Sequence, residues 1–314
     1  MSSKIEGTQA TFGEVLEFEA AGGAEGESEA KLADIREVLN YRAALRHGET
    51  MMRTLPLSQR VIREAHEVLM TGVRGQDKSP GAYRQKSNWI GPAGCTIENA
   101  RFVPPSAIEV NPAMDAWEKY LHSNASDMLV QLAILHVEFE SIHPFLDGNG
   151  RLGRLLVPLF LVEKKLLSSP NFYISAYFEQ HREEYYERLR AVSRDGDWTG
   201  WCVFFLQAVL EQGTQNESKA RAIIELYKTK KDWFISTTRS HHAITALDWF
   251  FNRPVFRVGD FVKLSGIPKS TANRIILLAR DHKLLQDIFP ATGSRAATLV
   301  FTELVNIAEG RKVL

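Results

Sequence analysis

Cysteine is almost missing from this chain: Cys95 and Cys202 are the only two in 314 residues. That excludes a disulfide framework and a cysteine-based zinc set, and makes a reducing compartment the natural home. An excess of charge is missing too. With 38 Lys and Arg against 38 Asp and Glu, the formal net charge is +0, so no general attraction to nucleic acid or an anionic membrane is implied. Long apolar runs are absent. The longest, around Leu155 to Val162, is too short to span a bilayer and is followed by Glu163, Lys164 and Lys165. Met1 is followed by polar residues rather than a charged region and an apolar core, so no signal peptide is expected. No internal repeat or low-complexity tract stands out. What is there is the composition of a soluble globular protein, 44% apolar and 24% charged. The length suits about two domains. The expected location is cytoplasmic, with no membrane partner.

The chemistry concentrates in His143-Pro144-Phe145-Leu146-Asp147-Gly148-Asn149-Gly150-Arg151-Leu152-Gly153-Arg154. The apolar run before it, Met128 to Ile142, predicts a buried helix with Ser126 as N-cap. The run after it, Leu155 to Leu167, predicts a second helix. Gly148 and Gly150 let the backbone turn tightly and bring its N–H groups close to a ligand. A helix that starts at such a turn attracts anions to its free N–H groups. Arg151 and Arg154, three apart, lie on neighbouring faces near the helix start, and guanidinium forks match phosphate oxygens. Asp147 can hold Mg²⁺, which binds few carboxylates and otherwise prefers phosphate and water. His143 sits where it can take a proton from an incoming hydroxyl. Singly, each residue reads as structural: a capping histidine, a turn, two solvated arginines. Together they describe a site that holds a nucleotide polyphosphate and activates an attacker on one phosphorus.

This stretch resembles the signature of the Fic (filamentation induced by cAMP) family, H-x-F-x-D/E-G-N-G-R-x-x-R, and matches it at every fixed position: His143, Phe145, Asp147, Gly148, Asn149, Gly150, Arg151 and Arg154. The resemblance implies a mainly α fold, a helical bundle, and transfer of AMP from ATP to a protein hydroxyl. It implies His143 as general base and Asp147 as the Mg²⁺ ligand. Gly148, Asn149, Gly150, Arg151 and Arg154 would form the nucleotide cradle, and Phe145 would anchor the loop in the core. Near the start, Ser2, Glu6 and Gly7 are similar to the S/T-x-x-x-E-G/N inhibitory motif of that family. A carboxylate beside Arg154 would occupy the guanidinium meant for the ATP γ-phosphate. Longer relatives carry more helix upstream; here the chain opens at the motif, and the inhibitory helix is expected to be short and loosely held.

Between these stretches the pattern is mostly helical. Thr11-Phe12-Gly13-Glu14 is a capping box opening a helix to about Glu19. Residues 30–46 read as an amphipathic helix, and Ser58 caps another. Residues 81–91, bracketed by Pro80, Gly81, Gly91 and Pro92, lose the helical period and predict a short β-hairpin. In the Fic family this position resembles the flap, which clamps the target segment by strand addition; Tyr83, Arg84, Asn88, Trp89, Ile90 and Gly91 are its candidates here. Helices follow over 107–121, 178–193 and from an Asp197 cap, and the polar residues 213–219 predict a break. From about His241 the pattern is helix, helix, short Gly turn, helix from Ser270, then strands over 284–288 and 298–301. This resembles a winged helix-turn-helix. In that family the helix from Ser270 would enter a DNA groove, with Thr271, Asn273 and Arg274 facing bases and Lys269 and Arg295 facing phosphate. Acidic residues offset most of the local basic charge, and protein contact stays open beside DNA.

The domain expectation is a Fic domain over 1–215 with its inhibitory segment at 1–8, a helical connector over 216–242, and a small winged-helix domain over 243–314. The expected function is AMP transfer from ATP, with Mg²⁺, to a Ser, Thr or Tyr hydroxyl of a target protein, restrained by Glu6. Two alternatives stay open. One is removal of AMP at the same site, Glu6 orienting a water. The other is a DNA-binding regulator that uses the Fic core as a nucleotide sensor. The assembly is left open between monomer and homodimer.

Overall fold

A computed structural model of the chain describes residues 5–21, 28–92, 94–289, 297–310 and 312. Ser2 and Arg295 therefore lie outside the described residues. The chain is mainly helical and divides into two compact units, the first built from residues 1–10 and 29–213, the second from 11–28 and 214–314. Among the described residues no helix is long and apolar enough to cross a membrane.

In the first unit, residues 5 and 6 form a 3₁₀ turn. Helix α1 (Phe12–Ala21) belongs to the second unit and is treated there. The first unit continues with α2 (Glu29–Met51), α3 (Gln59–Leu69), α4 (Val110–Leu121), α5 (Met128–Ile142), α6 (Asn149–Glu163), α7 (Ser175–Gln180) and α8 (Arg182–Asp195). Helix α5 starts at Asp127 rather than Ser126. The Asp127 carboxylate accepts from the N–H groups of Leu129 and Val130, two of the donors every helix start leaves orphaned. Helix α6 is buried from Arg151 through Leu161. Leu152, Leu155, Leu159 and Phe160 share a core with Leu132, Leu135, Phe139 and Ile142 of α5. Each such side chain contributes about 1.5–3 kcal/mol on burial. The loop joining α5 to α6 is thus held between two helices that cannot easily move apart.

Helix α9 (Trp198–Thr238) runs through residues 213–219 without the predicted break. A single helical glycine costs only about 1 kcal/mol, and pairs such as Glu217–Arg221 at 2.7 Å support the turn there. The flap is also leaner than expected. Among the described residues it carries one antiparallel bridge, Ile90 to Phe102, so its second arm is the residues after 100, and Pro104 and Pro105 beyond it supply no N–H to extend a ladder.

In the second unit, α1 opens with the predicted capping box: Thr11 N–H donates to Glu14 Oε2 at 2.7 Å, and Glu14 N–H donates to Thr11 Oγ1 at 3.2 Å. Leu16 and Ala20 of α1 pack on Val255, Val300 and Val305, which draws residues 11–28 into this unit rather than the first. The rest of the unit is α10 (Ala243–Asn252), β1 (Val255–Arg257), α11 (Val258–Leu264), α12 (Lys269–Asp281), β2 (Gln286–Phe289), β3 (Thr298–Val300) and α13 (Thr302–Glu309). The strands form an antiparallel sheet in the order β1-β3-β2. Strand β1 was not expected from sequence. Three residues after Pro254 carry too short an alternation to signal a strand, and it forms because β3 offers it a partner, Phe256 opposite Leu299. Pro268, not Ser270, is the N-cap of α12, with no side-chain cap hydrogen bond.

Candidate active site

His143 caps the C-terminus of α5 in a left-handed conformation, φ 49° and ψ 59°, and its N–H donates to Phe139 O. The chain then crosses to Gly148, the N-cap of α6, at φ 79°. A side chain is disfavoured at that φ, and a Cβ there would also press on Met70 Sδ at 2.7 Å. Phe145 fixes the crossing. It is fully buried, stacked on His66 at 3.8 Å between centroids and edge-on to Tyr83 at 5.2 Å. Asn149 ties the loop to itself: its Oδ1 accepts from Phe145 N–H at 2.9 Å and its Nδ2 donates to Phe145 O at 2.8 Å. Its side chain is therefore committed to the loop, and what it can offer an anion is its backbone N–H.

The imidazole of His143 is oriented by its own helix. Nδ1 lies 3.3 Å from Glu140 O; a carbonyl only accepts, so Nδ1 carries the proton and Nε2 keeps a free lone pair. Burial pulls this imidazole down to about 4, which keeps it neutral and able to accept a proton at physiological pH. The carboxyl of Glu140 is pushed by burial up to about 7, against the pull of Arg154.

Arg151 and Arg154 are both buried, and neither is the solvated helix face that their spacing allows. Arg154 Nη2 donates to Glu6 Oε1 at 2.6 Å, and Arg151 Nε lies 3.2 Å from Glu6 Oε2. One carboxylate thus faces both guanidiniums. Burial alone would lower the Arg154 guanidinium, and its acidic neighbours, Glu6 foremost with Tyr185 and Glu140, together reverse that. Arg151 also meets Asp147 Oδ1 at 3.4 Å and Glu37 Oε2 at 3.6 Å. Gly150 lets Glu6 come this close, because a Cβ at 150 would overlap Glu6 Oε1.

The turn that carries Glu6 is firmly seated, contrary to the expectation of a loose one. Ile5 is fully buried. Thr8 Oγ1 donates to Glu37 Oε2 at 2.8 Å, and Gln9 N–H donates to Asp34 Oδ2 at 2.7 Å. Glu37 therefore serves both the turn and Arg151. Gly7 follows at φ 101°, in the region glycine favours, and turns the chain from Glu6 toward Thr8.

A cavity of about 510 Å³ is lined by Glu6, His143, Asp147, Gly148, Asn149, Gly150 and Arg154 together with Trp89, Ile90 and Gly91, while Arg151 stays beneath its surface. Asp147 keeps 30% of its side chain exposed, and its Oδ1 accepts from Gly148 N–H at 2.6 Å. Among the described residues no group of three or more His, Cys, Asp or Glu could hold a metal by itself. A single accessible carboxylate beside an anion cradle fits Mg²⁺ completed by phosphate and water.

The flap candidates separate. Trp89, Ile90 and Gly91 line the cavity, while Tyr83 and Arg84 are buried in the scaffold and Asn88 Nδ2 donates to Phe145 O at 3.1 Å. Tyr83 and Arg84 thus offer little surface to a target, because Tyr83 packs on Phe145 and Arg84 on the carbonyls of Ile142 and His143, while Gln85, Lys86 and Ser87 between them and Asn88 are exposed. In the second unit, Lys269, Asn273 and Arg274 are exposed on α12, with Thr271 half-buried.

Two site residues carried no sequence signal. His66 accepts from Gly81 N–H at Nδ1, 2.9 Å, and its Nε2 meets Asp147 O at 2.9 Å, so it is the Nε2–H tautomer and holds the Asp147 backbone. Burial pulls it down to about 4. Glu37 is the other. Each is one polar residue inside an otherwise ordinary helix, and its partner is distant in sequence.

Comparison with known proteins agrees with this geometry. Residues 56–161 match the model of the Fic/DOC family and residues 1–50 that of the Fic/DOC family N-terminal region. The chain thus carries a Fic/DOC family domain over residues 56–161. It is 36% identical over 112 residues to a probable protein adenylyltransferase of Aquifex aeolicus, covering 35% of this chain and 30% of that protein. It is 27% identical over 165 residues to the protein adenylyltransferase Fic of Drosophila grimshawi, covering 51% and 30%. The chain thus spans about a third of the length of these relatives. The fold is similar to that of a Fic family protein from Desulfovibrio desulfuricans, with a TM-score of 0.59 at 22% identity over 96% of this chain and 84% of that one.

Proposed function

We propose that this chain transfers AMP from ATP to a hydroxyl of a target protein, and that Glu6 restrains the transfer. The observation that carries the reading is the Glu6 carboxylate held between Arg154 and Arg151 above the Gly150 backbone, an anion on an anion cradle at a helix start. ATP phosphates would take that place. His143 Nε2 accepts the proton of the target hydroxyl, and the hydroxyl oxygen forms a bond to the α-phosphorus. The bond from that phosphorus to the oxygen bridging the β-phosphate breaks, and pyrophosphate leaves. The backbone N–H groups after Gly148, with Arg151 and Arg154, hold the departing charge. Asp147 would hold Mg²⁺, which when bound supplies further neutralisation of the pyrophosphate. Trp89 to Gly91 border the cavity where a target segment would lie; strand addition there would use the backbone of the residues flanking Ile90, whose own N–H and carbonyl are taken by Phe102.

The second unit, with helices α11 and α12 set between strand β1 and strands β2 and β3 of a small antiparallel sheet, we read as a winged helix. The exposed Lys269, Asn273 and Arg274 on α12 favour nucleic-acid contact as its role. The test of the main reading is incubation of the Glu6→Gly variant in cell extract with α-labelled and with γ-labelled ATP. Protein labelled from the α-position alone supports AMP transfer; label from the γ-position would replace it with phosphate transfer.

A further inference from the structure

Arg84 was expected to face a target, yet it is 2% exposed. Among the described residues its guanidinium donates to carbonyls alone. Nε donates to His143 O at 2.9 Å, Nη2 to Ile142 O at 3.2 Å and to Pro105 O, and Nη1 to Lys86 O at 3.3 Å. Its backbone N–H donates to Pro144 O at 2.9 Å. One residue therefore satisfies three consecutive carbonyls, 142 to 144, around the end of α5. Carbonyls at a helix C-terminus have no partner within the helix. Here the middle one belongs to His143, a non-glycine residue in the left-handed region, which side chains hold only where the surroundings over-determine it.

We propose that Arg84 is the positioning residue for the general base. By fixing the carbonyls on both sides of His143, it holds the imidazole with Nδ1–H on Glu140 O and Nε2 left to accept the target's proton. The fork is what allows this. A guanidinium presents five donors in one plane and can reach carbonyls on different segments at once, whereas a lysine ammonium is a point donor at the end of a flexible stem. Arg84 also ties both flanks of the Ile90–Phe102 bridge, Lys86 before it and Pro105 after it, to the residues that carry the base, so the bordering wall and the base are set by one side chain. It touches neither the cradle nor Asp147 through any of these bonds, and ATP binding should not depend on it.

The proposal rests on the AMP-transfer reading, and its test separates the two. Arg84→Lys and Arg84→Met are made in the Glu6→Gly background. Initial rates of AMP incorporation give kcat and KM for ATP, and nitrogen-15 NMR of histidine-labelled protein, assigned with His143→Ala, gives the His143 tautomer. Misplacing a reacting group by a fraction of its contact distance costs on the order of 10–100-fold. The expected result is a kcat lower by about that factor with KM for ATP changed by no more than about twofold, together with loss of the single Nδ1–H tautomer. If Arg84→Met does not fold, because four carbonyls lose their donor, Arg84→Lys carries the test. Unchanged kcat and tautomer with only a lower Tm would make Arg84 structural and overturn the proposal, as would a raised KM at unchanged kcat. If the Glu6→Gly parent transfers no AMP, the functional reading fails, while the NMR comparison still decides whether Arg84 holds the imidazole.

Discussion

Replacing Glu6 with glycine removes one carboxylate from two buried guanidiniums. The contact to Arg154 is a charge-assisted hydrogen bond of 2.6 Å, and that to Arg151 an ion pair of 3.2 Å. Glu6 keeps 21% of its side chain exposed and Arg154 only 2%, so water screens the pair weakly. A hydrogen bond to a charged group contributes about 1.5–3 kcal/mol, and the longer pair adds a smaller part. Taking about 2–3 kcal/mol as the preference for the closed arrangement, its removal corresponds to roughly 30- to 150-fold. The same scale follows from the chemistry, since an ATP whose γ-phosphate is denied Arg154 is misaligned for attack, and misalignment costs about a hundredfold. Glu6→Gly should therefore raise the initial rate of auto-modification by one to two decades over the parent, with labelled ATP and Mg²⁺ at matched concentrations. Glu6→Gln, which keeps an acceptor and loses the charge, should fall between. Arg154→Ala should gain nothing, because it removes a phosphate ligand along with the partner of Glu6, and the double variant should behave like Arg154→Ala. A Glu6→Gly rate equal to the parent's would refute the restraint, and the turn at residues 5–10 would then be a structural brace for Glu37 and Arg151.

The remaining predictions concern the base, the pH response and the second unit. His143→Ala should lower transfer by about two to four decades and leave the Kd for ATP within a few-fold, measured by calorimetry; retention of the parent's rate would remove His143 from its role. His66, His136 and His143 are pulled down by burial to about 4, 3 and 4. The unfolded chain therefore binds protons at these imidazoles below about pH 6.5 while the folded chain does not, and their contribution to stability is lost as pH falls from 6.5 toward 4. Glu140, raised to about 7, acts in the opposite sense between about 4.5 and 7, but it is one group against three. Tm should fall as pH drops from 6.5 to 4.5, and a Tm that rises over that interval would contradict it. If α12 reads DNA, Arg274→Ala should lose sequence selectivity and Lys269→Ala should weaken binding to all sequences with a shallower salt dependence, measured by titration at several salt concentrations.

The residues proposed as base, cradle and Mg²⁺ carboxylate were legible in the sequence because they lie within twelve consecutive residues, where local turn chemistry and helical spacing fix their relation. Glu6 was legible only through a resemblance, since nothing local says that a carboxylate 148 residues upstream will reach Arg154. His66, Glu37 and the role of Arg84 were not legible. Each is a lone polar residue whose meaning comes from a carbonyl or guanidinium brought to it by packing. Asn149 shows the converse. Its place in the signature suggested a ligand contact, but both ends of its amide close the loop on Phe145. In the fold, helices with continuous apolar faces were clear. The helix continuing through Gly213, the three-residue strand β1 and the one-bridge flap were not, because tertiary partners rather than local preference decide short and marginal elements.

The central claim is that the cavity moves AMP, with His143 as base. Its most direct test is the intact mass of the Glu6→Gly protein after incubation with ATP and Mg²⁺, beside the Glu6→Gly, His143→Ala protein treated in the same way. The account predicts mass increments equal to whole AMP groups on the first and none on the second. Increments equal to phosphate, or equal AMP loading on both proteins, would contradict it.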